Sequence, residues 1–483
     1  MKTTNLIMTW FLSISCLCLF VGCSNNDDYQ TDITNSSKMK VSNMSTSTRK
    51  NRTWTSKNGY NVSMEDVLKF SNTIKPDQDY SVEVYTEGND TLLYILNYDE
   101  GWVIFAGDKR FNPIVAECDS GVISLDIPNE NLMCWIDSYA DEIRILKQKI
   151  GETENEHTKL WSLVSQNVNK QGKKYKGRDY KWCAIYNSYC DNDITYSLIP
   201  HLVSTKWGQT SPWNVKCPID TNSNNQKCPT GCVAVALAQM IYYMHYHLGK
   251  PSSLYHNISV ANSTIAGPTS NIGFSRANLV NNSTRWDDMP LTSYGTGVTT
   301  YVGDLMLDIG NRLSMTYSGT ASNANISTSA LNNYNLTYST SSYNYQTVKS
   351  DLQNAKPVDI CAYRYNGNNQ LSGHSWLIDG IAVRQRHYVT HITFEYSENW
   401  MYANAYFDTF LELQEYFEPR FHVYTPYDVI EEDGGTYTTE YLLMNWGWNG
   451  SYDNGYYSIY PSDSWTVGNY DYKYNKTIHY DFR

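Results

Sequence analysis

The fourteen residues Cys232-Val-Ala-Val-Ala-Leu-Ala-Gln-Met-Ile-Tyr-Tyr-Met-His245 contain no Asp, Glu, Lys or Arg, and they open behind Pro229-Thr230-Gly231. Ala and Leu favour a helix, and a helix without a polar face has to be covered on all sides. The chain must therefore build a core around this segment. With 483 residues it has the material, in about three units or fewer at roughly 150 residues each. Later stretches at Pro357 to Ala362, Ser375 to Ile381, His391 to Tyr396, Tyr441 to Asn445 and Gly455 to Tyr460 have strand character punctuated by Gly and Asn. The pattern predicts an α+β fold, a buried helix packed on a twisted antiparallel sheet, without internal repeats.

Residues 56–190 read as a smaller α+β unit. A helix is predicted behind Ser63, then strands at Ser81 to Tyr85, Thr91 to Asn97 and Trp102 to Ala106, then an amphipathic helix from Asn131 to Ile150. A hydrophilic run, Gly172-Lys-Lys-Tyr-Lys-Gly-Arg178, follows as an exposed link, and residues 191–483 form the larger unit. Residues 23–55, rich in Ser, Thr, Asn and Lys, read as a flexible tether.

The chain starts with Lys2 and an apolar run from Leu6 to Val21, too short to span a bilayer but suited to an export signal over residues 1–22. Gly22-Cys23 resembles a bacterial lipobox with Cys23 as the lipidated start, although Phe20 stands where Leu is commoner. Ser24-Asn-Asn-Asp-Asp28 resembles the surface-export signals of Bacteroidetes lipoproteins. The expected location is the outer membrane or cell surface, held by this lipid alone, with plain secretion as the alternative. A net charge of −12, from 37 Lys plus Arg against 49 Asp plus Glu, excludes the basic footprint of a nucleic-acid binder. Three of the eleven Cys belong to the leader, and the other eight do not make a disulfide-dense scaffold. Cys217 with Cys228, and Cys183 with Cys190, lie close enough in sequence to pair, though spacing does not fix connectivity.

Cys232 occupies the first turn of the apolar helix, where free N–H groups and the helix dipole stabilise a thiolate. That position suits a nucleophile. A buried structural Cys, a disulfide with Cys228, and a zinc site with Cys228, His245 and His247 are the alternatives; one residue between the two His departs from the usual finger spacing of about three to five. A thiol nucleophile needs a base. His374, in Ser372-Gly-His-Ser-Trp-Leu-Ile-Asp-Gly380, follows Cys232 by 142 residues, within the about 130–150 of papain-like enzymes. A hydrogen-bonded core histidine remains the plain alternative.

Lys206-Trp-Gly-Gln-Thr-Ser-Pro-Trp-Asn214, Cys228-Pro-Thr-Gly-Cys-Val-Ala-Val-Ala-Leu-Ala-Gln239, Gly373-His374 through Asp379-Gly380, and Asn445-Trp-Gly-Trp-Asn-Gly450 occur in the order seen in streptopain-like cysteine peptidases of family C10, which the chain resembles over roughly residues 195–483. Gly101 to Arg110, Pro113 to Ala116 and Ser120-Gly121 resemble that family's propeptide. The resemblance implies a papain-like fold preceded by an inhibitory propeptide domain, protein or peptide substrates, and no cofactor or metal. It implies Cys232 as nucleophile, His374 as its partner, Gln209 as oxyanion donor, Asn445 orienting His374, Trp446 shielding that contact, and Gly373 and Trp448 in the substrate cleft. Maturation is expected between Lys170 and Arg178 or near Tyr189. A Cys217–Cys228 disulfide is the expected pairing, because it keeps Cys228 from oxidising Cys232. The chain departs from streptopain in the 64 residues between Gly380 and Asn445, an insertion at about 382–440 whose aromatic stretch from Tyr402 to Tyr427 is expected to cap the cleft, narrow substrate choice or bind a partner. A catalytically silent surface-binding protein and a Cys/His acyltransferase or amidase are the competing functions.

Overall fold

The computed structural model describes residues 41–42, 59–148, 155–165, 180–247, 257–259, 264–269, 275–277, 286–365, 371–397, 403, 405–417, 428–459, 466–467, 470–471 and 476–483. The leader with Cys23, the tether apart from residues 41–42, and the basic run from Lys170 to Arg178 lie outside the described residues. No described helix is long and apolar enough to cross a membrane.

The first helix, α1 (Met64–Ile74), starts where Ser63 predicts it, because the Ser63 hydroxyl accepts the Asp66 N–H at 3.1 Å and the Asp66 carboxylate accepts the Ser63 N–H at 2.9 Å. Four antiparallel strands follow: β1 (Tyr80–Glu87), β2 (Asp90–Tyr98), β3 (Trp102–Ala106) and β4 (Ile114–Cys118). Strands β3 and β4 are buried at every position, since helices cover both faces. On one side α2 (Glu130–Gln148) buries Leu132, Trp135, Ile136, Tyr139 and Ile143; on the other α1 and α3 (Glu156–Ser165) bury Phe70 and Trp161.

This sheet does not end with the N-terminal segment. After β5 (Lys181–Ile199), the helices α4 (Cys232–His247) and α5 (Thr299–Arg312), the strand β6 (Ser339–Ser342) and α6 (Tyr345–Gln353) come β7 (Val358–Tyr365), β8 (Leu371–Ser397), β9 (Ala405–Phe407), α7 (Phe410–Phe417), β10 (Ile430–Asn445), β11 (Tyr456–Ser458) and β12 (Lys476–Tyr480). One 13-stranded sheet runs in the order β1-β2-β3-β4-β11-β10-β8-β7-β12-β6, with Val41–Ser42 beside β1, β5 beside β8, and β9 beside β5. The join between the N-terminal strands and the rest is the pairing of Glu117 with Tyr456 and Ala116 with Tyr457. Helix α4 lies in a separate core with α5, Trp207, Trp213 and Leu377, buried on all sides from Cys232 to Ile241 as its composition demands, with Tyr246 exposed in its last turn.

Two of the expected segments are built into the sheet. The boundary drawn at 190/191 falls inside β5, at a register shift that leaves Asp191 out of a ladder with β8 running from Lys181 opposite Ser397 to Ile199 opposite Ile381. The described part of the segment 382–440 is built into the sheet. It prolongs β8 and β10 as one hairpin, from Leu377 opposite Asn445 to Ile392 opposite Ile430. Fifteen residues of strand reach about 50 Å, so the described aromatic parts, β9 and α7, pack against the start of β5 at the far end from Asn445. The remainder of Tyr402 to Tyr427 lies outside the described residues.

Candidate active site

Helix α4 begins at Cys232 because Gly231 permits the turn into it. Gly231 has φ +89°, and a Cβ there would lie 2.7 Å from the Ser322 carbonyl oxygen. The Val235 N–H closes the first turn on the Gly231 carbonyl at 3.1 Å, and the Ser322 hydroxyl donates to the Pro229 carbonyl at 2.6 Å. Cys232 is thus held at a helix N-terminus, 4% exposed, where N–H dipoles favour a thiolate. Gln209 is fixed beside it, its carbonyl accepting the Thr230 N–H at 2.9 Å. Gln209 is also 4% exposed, yet among the described residues neither its amide nitrogen nor its amide oxygen has a hydrogen-bond partner. Burying an unpaired amide costs about 1–3 kcal/mol, and a donor kept open for a developing charge is one reason to bear that cost.

The two tryptophan-rich motifs come together as one unit. Asn449 N–H donates to the Trp207 carbonyl at 3.2 Å, and the Trp213 indole donates to Asn449 Oδ1 at 2.5 Å. Lys206 pairs with Asp453 at 2.9 Å, and Asp453 in turn accepts the Trp446 N–H at 3.0 Å. Gly208 lies directly under Asn449, where a Cβ would come within 2.6 Å of Oδ1.

Among the described residues, Asn445 makes its hydrogen bonds elsewhere than to His374. Its Oδ1 accepts Gln239 Nε2 at 3.0 Å and the Gly447 N–H at 3.3 Å, and its Nδ2 donates to the Thr205 carbonyl at 2.8 Å. Gln239 Oε1 accepts from the Thr205 hydroxyl and the Trp207 N–H at 3.1 and 3.2 Å. Gln239 lies about two turns beyond Cys232 and is the polar hub tying α4, β10 and the Gln209 segment together. Its signal in the sequence was a single amide in an otherwise apolar helix. Asp379 is a second residue that sequence reasoning passed over: its carboxylate bonds His201 Nδ1 at 2.7 Å and the Val203 N–H at 3.2 Å, fixing the chain that leads from β5.

His374 lies on β8 opposite Ala362. Strand alternation puts it on the face of Trp376 and Ile378, which α2 covers, while Ser375 and Leu377 face α4. The Glu130 carboxylate at the start of α2 stands 3.9 Å from His374 Nε2. Next to it, Asn131 Nδ2 donates to the Ser375 carbonyl at 3.1 Å and the Trp446 carbonyl at 2.6 Å. The first turn of α2 is therefore anchored to the residues flanking His374 and Asn445. Trp446 packs 5.3 Å from Trp376 and edge-on to Tyr457 at 5.0 Å. The indole N–H of Trp446 and of Trp448 has no partner among the described residues. Gly373 makes room for the Tyr363 ring, 2.8 Å from where its Cβ would stand.

Cys232 reaches the same strands by another route. Burial first, then the Asp359 carboxylate and the Cys232 thiol, push the Cys361 thiol well up, so Cys232 lies within electrostatic reach of Cys361. Cys361 pairs with Ser375, the residue after His374. The expected Cys217–Cys228 disulfide is not formed. Both are buried free thiols, Cys217 raised by burial and then by Cys228, and Cys228 pushed up to about 12, chiefly by burial. Cys183 and Cys190 are likewise free, both pushed up to about 11 by burial. His245 stacks on Trp286 at 4.7 Å, which turns it to packing rather than to a finger-like metal site.

Residues 207–407 match the model of the peptidase C10 family. Streptopain of Streptococcus pyogenes serotype M28 is 24% identical over 309 residues, covering 62% of this chain and 70% of its own length. Streptopain of serotype M1 is 24% identical over 313 residues, with the same coverage. Among solved structures, a fragment of prointerpain A of Prevotella intermedia aligns with a TM-score of 0.45 at 18% identity, over 83% of this chain and 98% of its own. Active interpain A aligns with a TM-score of 0.35 at 21% identity, over 58% and 93%.

Proposed function

We propose, from the premise that this chain belongs to the peptidase C10 family and is a cysteine endopeptidase, that Cys232 is its attacking thiol and that residues 56–190 restrain it as an inhibitory propeptide in an exported, lipid-anchored zymogen. The observation that carries the reading is the unpaired, buried Gln209 amide beside the Cys232 end of α4. The Cys232 sulfur attacks the peptide carbonyl as thiolate, and the oxygen that becomes negative is held by the Cys232 N–H and Gln209 Nε2. The His374 imidazolium gives its proton to the leaving amine, and the neutral ring then takes one from the water that hydrolyses the thioester. Before processing, α2 opposes this. Glu130 stands against the His374 ring, and Asn131 bonds Ser375, the next residue on the same strand, and Trp446 just past β10. Removing α2 relieves these contacts, and the β8 backbone around His374 then has to shift for the imidazole to reach the thiol on the α4 face.

Intact mass spectrometry of wild type and Cys232→Ala, with and without an epoxide inhibitor of cysteine peptidases, tests the proposal alongside casein digestion. The expected result is loss of the N-terminal segment and a single adduct in wild type, with neither in the variant. A processed wild type that takes up no inhibitor at Cys232 and digests no protein, also after added trypsin, overturns it. Gln209→Ala should lower kcat by about 10²–10³-fold while leaving inhibitor uptake at Cys232 intact. An unchanged kcat would remove Gln209 from the oxyanion site.

A further inference from the structure

Behind the strand that carries His374 lies a second cluster of reactive groups that the proteolytic mechanism does not use. Asp359 and Cys361 are two residues apart on β7 and so point to one face of the sheet. His479 stands directly opposite Asp359 on the neighbouring β12. The ligand atoms of the three lie within 4.8 Å of one another. Cys361 Sγ is 3.6 Å from Asp359 Oδ2 and 3.9 Å from His479 Nδ1, and His479 Nδ1 is 2.7 Å from Asp359 Oδ2. Tetrahedral zinc, with bonds of about 2.0–2.3 Å, holds its ligands about 3.3–3.6 Å apart. Only the Asp359–His479 contact would have to open, by well under an ångström.

We propose that Asp359, Cys361 and His479 bind a thiophilic divalent cation of the zinc class. The donor set, one thiol, one imidazole and one carboxylate, suits zinc or cobalt and disfavours calcium and magnesium, which take oxygen. The carboxylate is already oriented as a ligand's would be: Ser375 Oγ donates to Asp359 Oδ1 at 2.5 Å, leaving Oδ2 for the cluster. Asp359 is fully buried, and the Tyr338 ring stands edge-on to His479 at 5.1 Å. All three donors sit on adjacent paired strands, so little has to be ordered on binding. The Cys361 S–H proton passes to solvent as the sulfur–metal bond forms. Three protein ligands leave one coordination position for water.

Cobalt(II) titration of the full-length protein, as wild type and as Cys232→Ala, gives the test. The expected result is one equivalent bound in both, with a thiolate-to-cobalt charge-transfer band that zinc abolishes. Cys361→Ser should remove the band, Cys217→Ser should leave it, and Ser375→Ala should weaken binding about 10–100-fold. No stoichiometric binding, a band that survives Cys361→Ser, or a band lost in Cys232→Ala would each overturn the site and leave a buried Asp–His pair with a thiol beside it. Should Cys361→Ser fail to fold, alkylation of wild type followed by peptide mapping decides. Zinc must protect Cys361 from iodoacetamide, and equal labelling with and without zinc overturns the proposal.

Discussion

Replacing His374 by alanine is expected to lower kcat/KM for peptide hydrolysis by the processed enzyme about 10⁴–10⁶-fold, the loss seen when one member of a nucleophile–base unit is removed. The expectation follows from what remains. Cys232 keeps its place at the N-terminus of α4, held by Gly231 and Val235, and Gln209 keeps its place beside Thr230. Without an imidazole, however, nothing protonates the leaving amine or activates water. Iodoacetamide should also alkylate Cys232 more slowly at neutral pH, because the imidazolium partner no longer favours the thiolate. Initial rates on a fluorogenic peptide and alkylation rates, with a thermal melt to show that the chain is folded, make the comparison. Activity within about 100-fold of wild type would mean that another base serves Cys232.

What was legible in the sequence is local. A helix with no polar face announces its own burial, and the Gly before Cys232 marks a backbone position that a side chain would block. Ser63 marks the start of α1 because both partners of its capping box lie within three residues. The features that escaped depend on pairing between distant strands. Nothing near Gly380 says that β8 continues to Ser397, because that length is stabilised by β5, nearly two hundred residues earlier. The partner of Asn445 could not be read either: its role depends on which of Gln239 and His374 the packing of α4 on β8 brings within reach. Glu130 shows why the motif-based reading stops short. Its place beside His374 is set by the docking of α2 on a sheet that both ends of the chain build, and no spacing rule carries that information. The Asp359–Cys361–His479 cluster is hidden for the same reason, since β7 and β12 meet only in the folded register.

Substituting Glu117 by alanine is expected to destabilise the full-length chain by about 3–5 kcal/mol, among the largest effects available outside the catalytic centre. Glu117 is the penultimate residue of β4 in the N-terminal segment, yet its carboxylate is buried against Arg384 at 2.9 Å and Arg386, both on the extended part of β8. Asp193 on β5 completes the set, bonding Arg384 Nε at 2.7 Å and Arg386 Nε at 2.9 Å. Two cations and the carboxylates of Glu117 and Asp193, with Asp119 at 3.5 Å from Arg384 at the rim, thus neutralise one another where the N-terminal strands, β5 and the long hairpin converge. Removing Glu117 leaves two buried guanidiniums with Asp193 and the half-exposed Asp119, 3.5 Å from Arg384, so the cost is mainly that of an uncompensated buried charge rather than of a lost surface pair. Burial alone would raise the Glu117 carboxyl, but Arg386 and then Arg384 outweigh it and hold it below its ordinary value. Because the folded value is the lower one, the stabilisation is present above the unfolded value of about 4.3 and is lost as pH falls through the folded value. Urea midpoints should therefore separate wild type from Glu117→Gln strongly at pH 7 and progressively less below about pH 4. A gap independent of pH would show that the carboxylate's charge does not hold the N-terminal segment on the hairpin, and that packing around Tyr388 and Tyr441 does so instead.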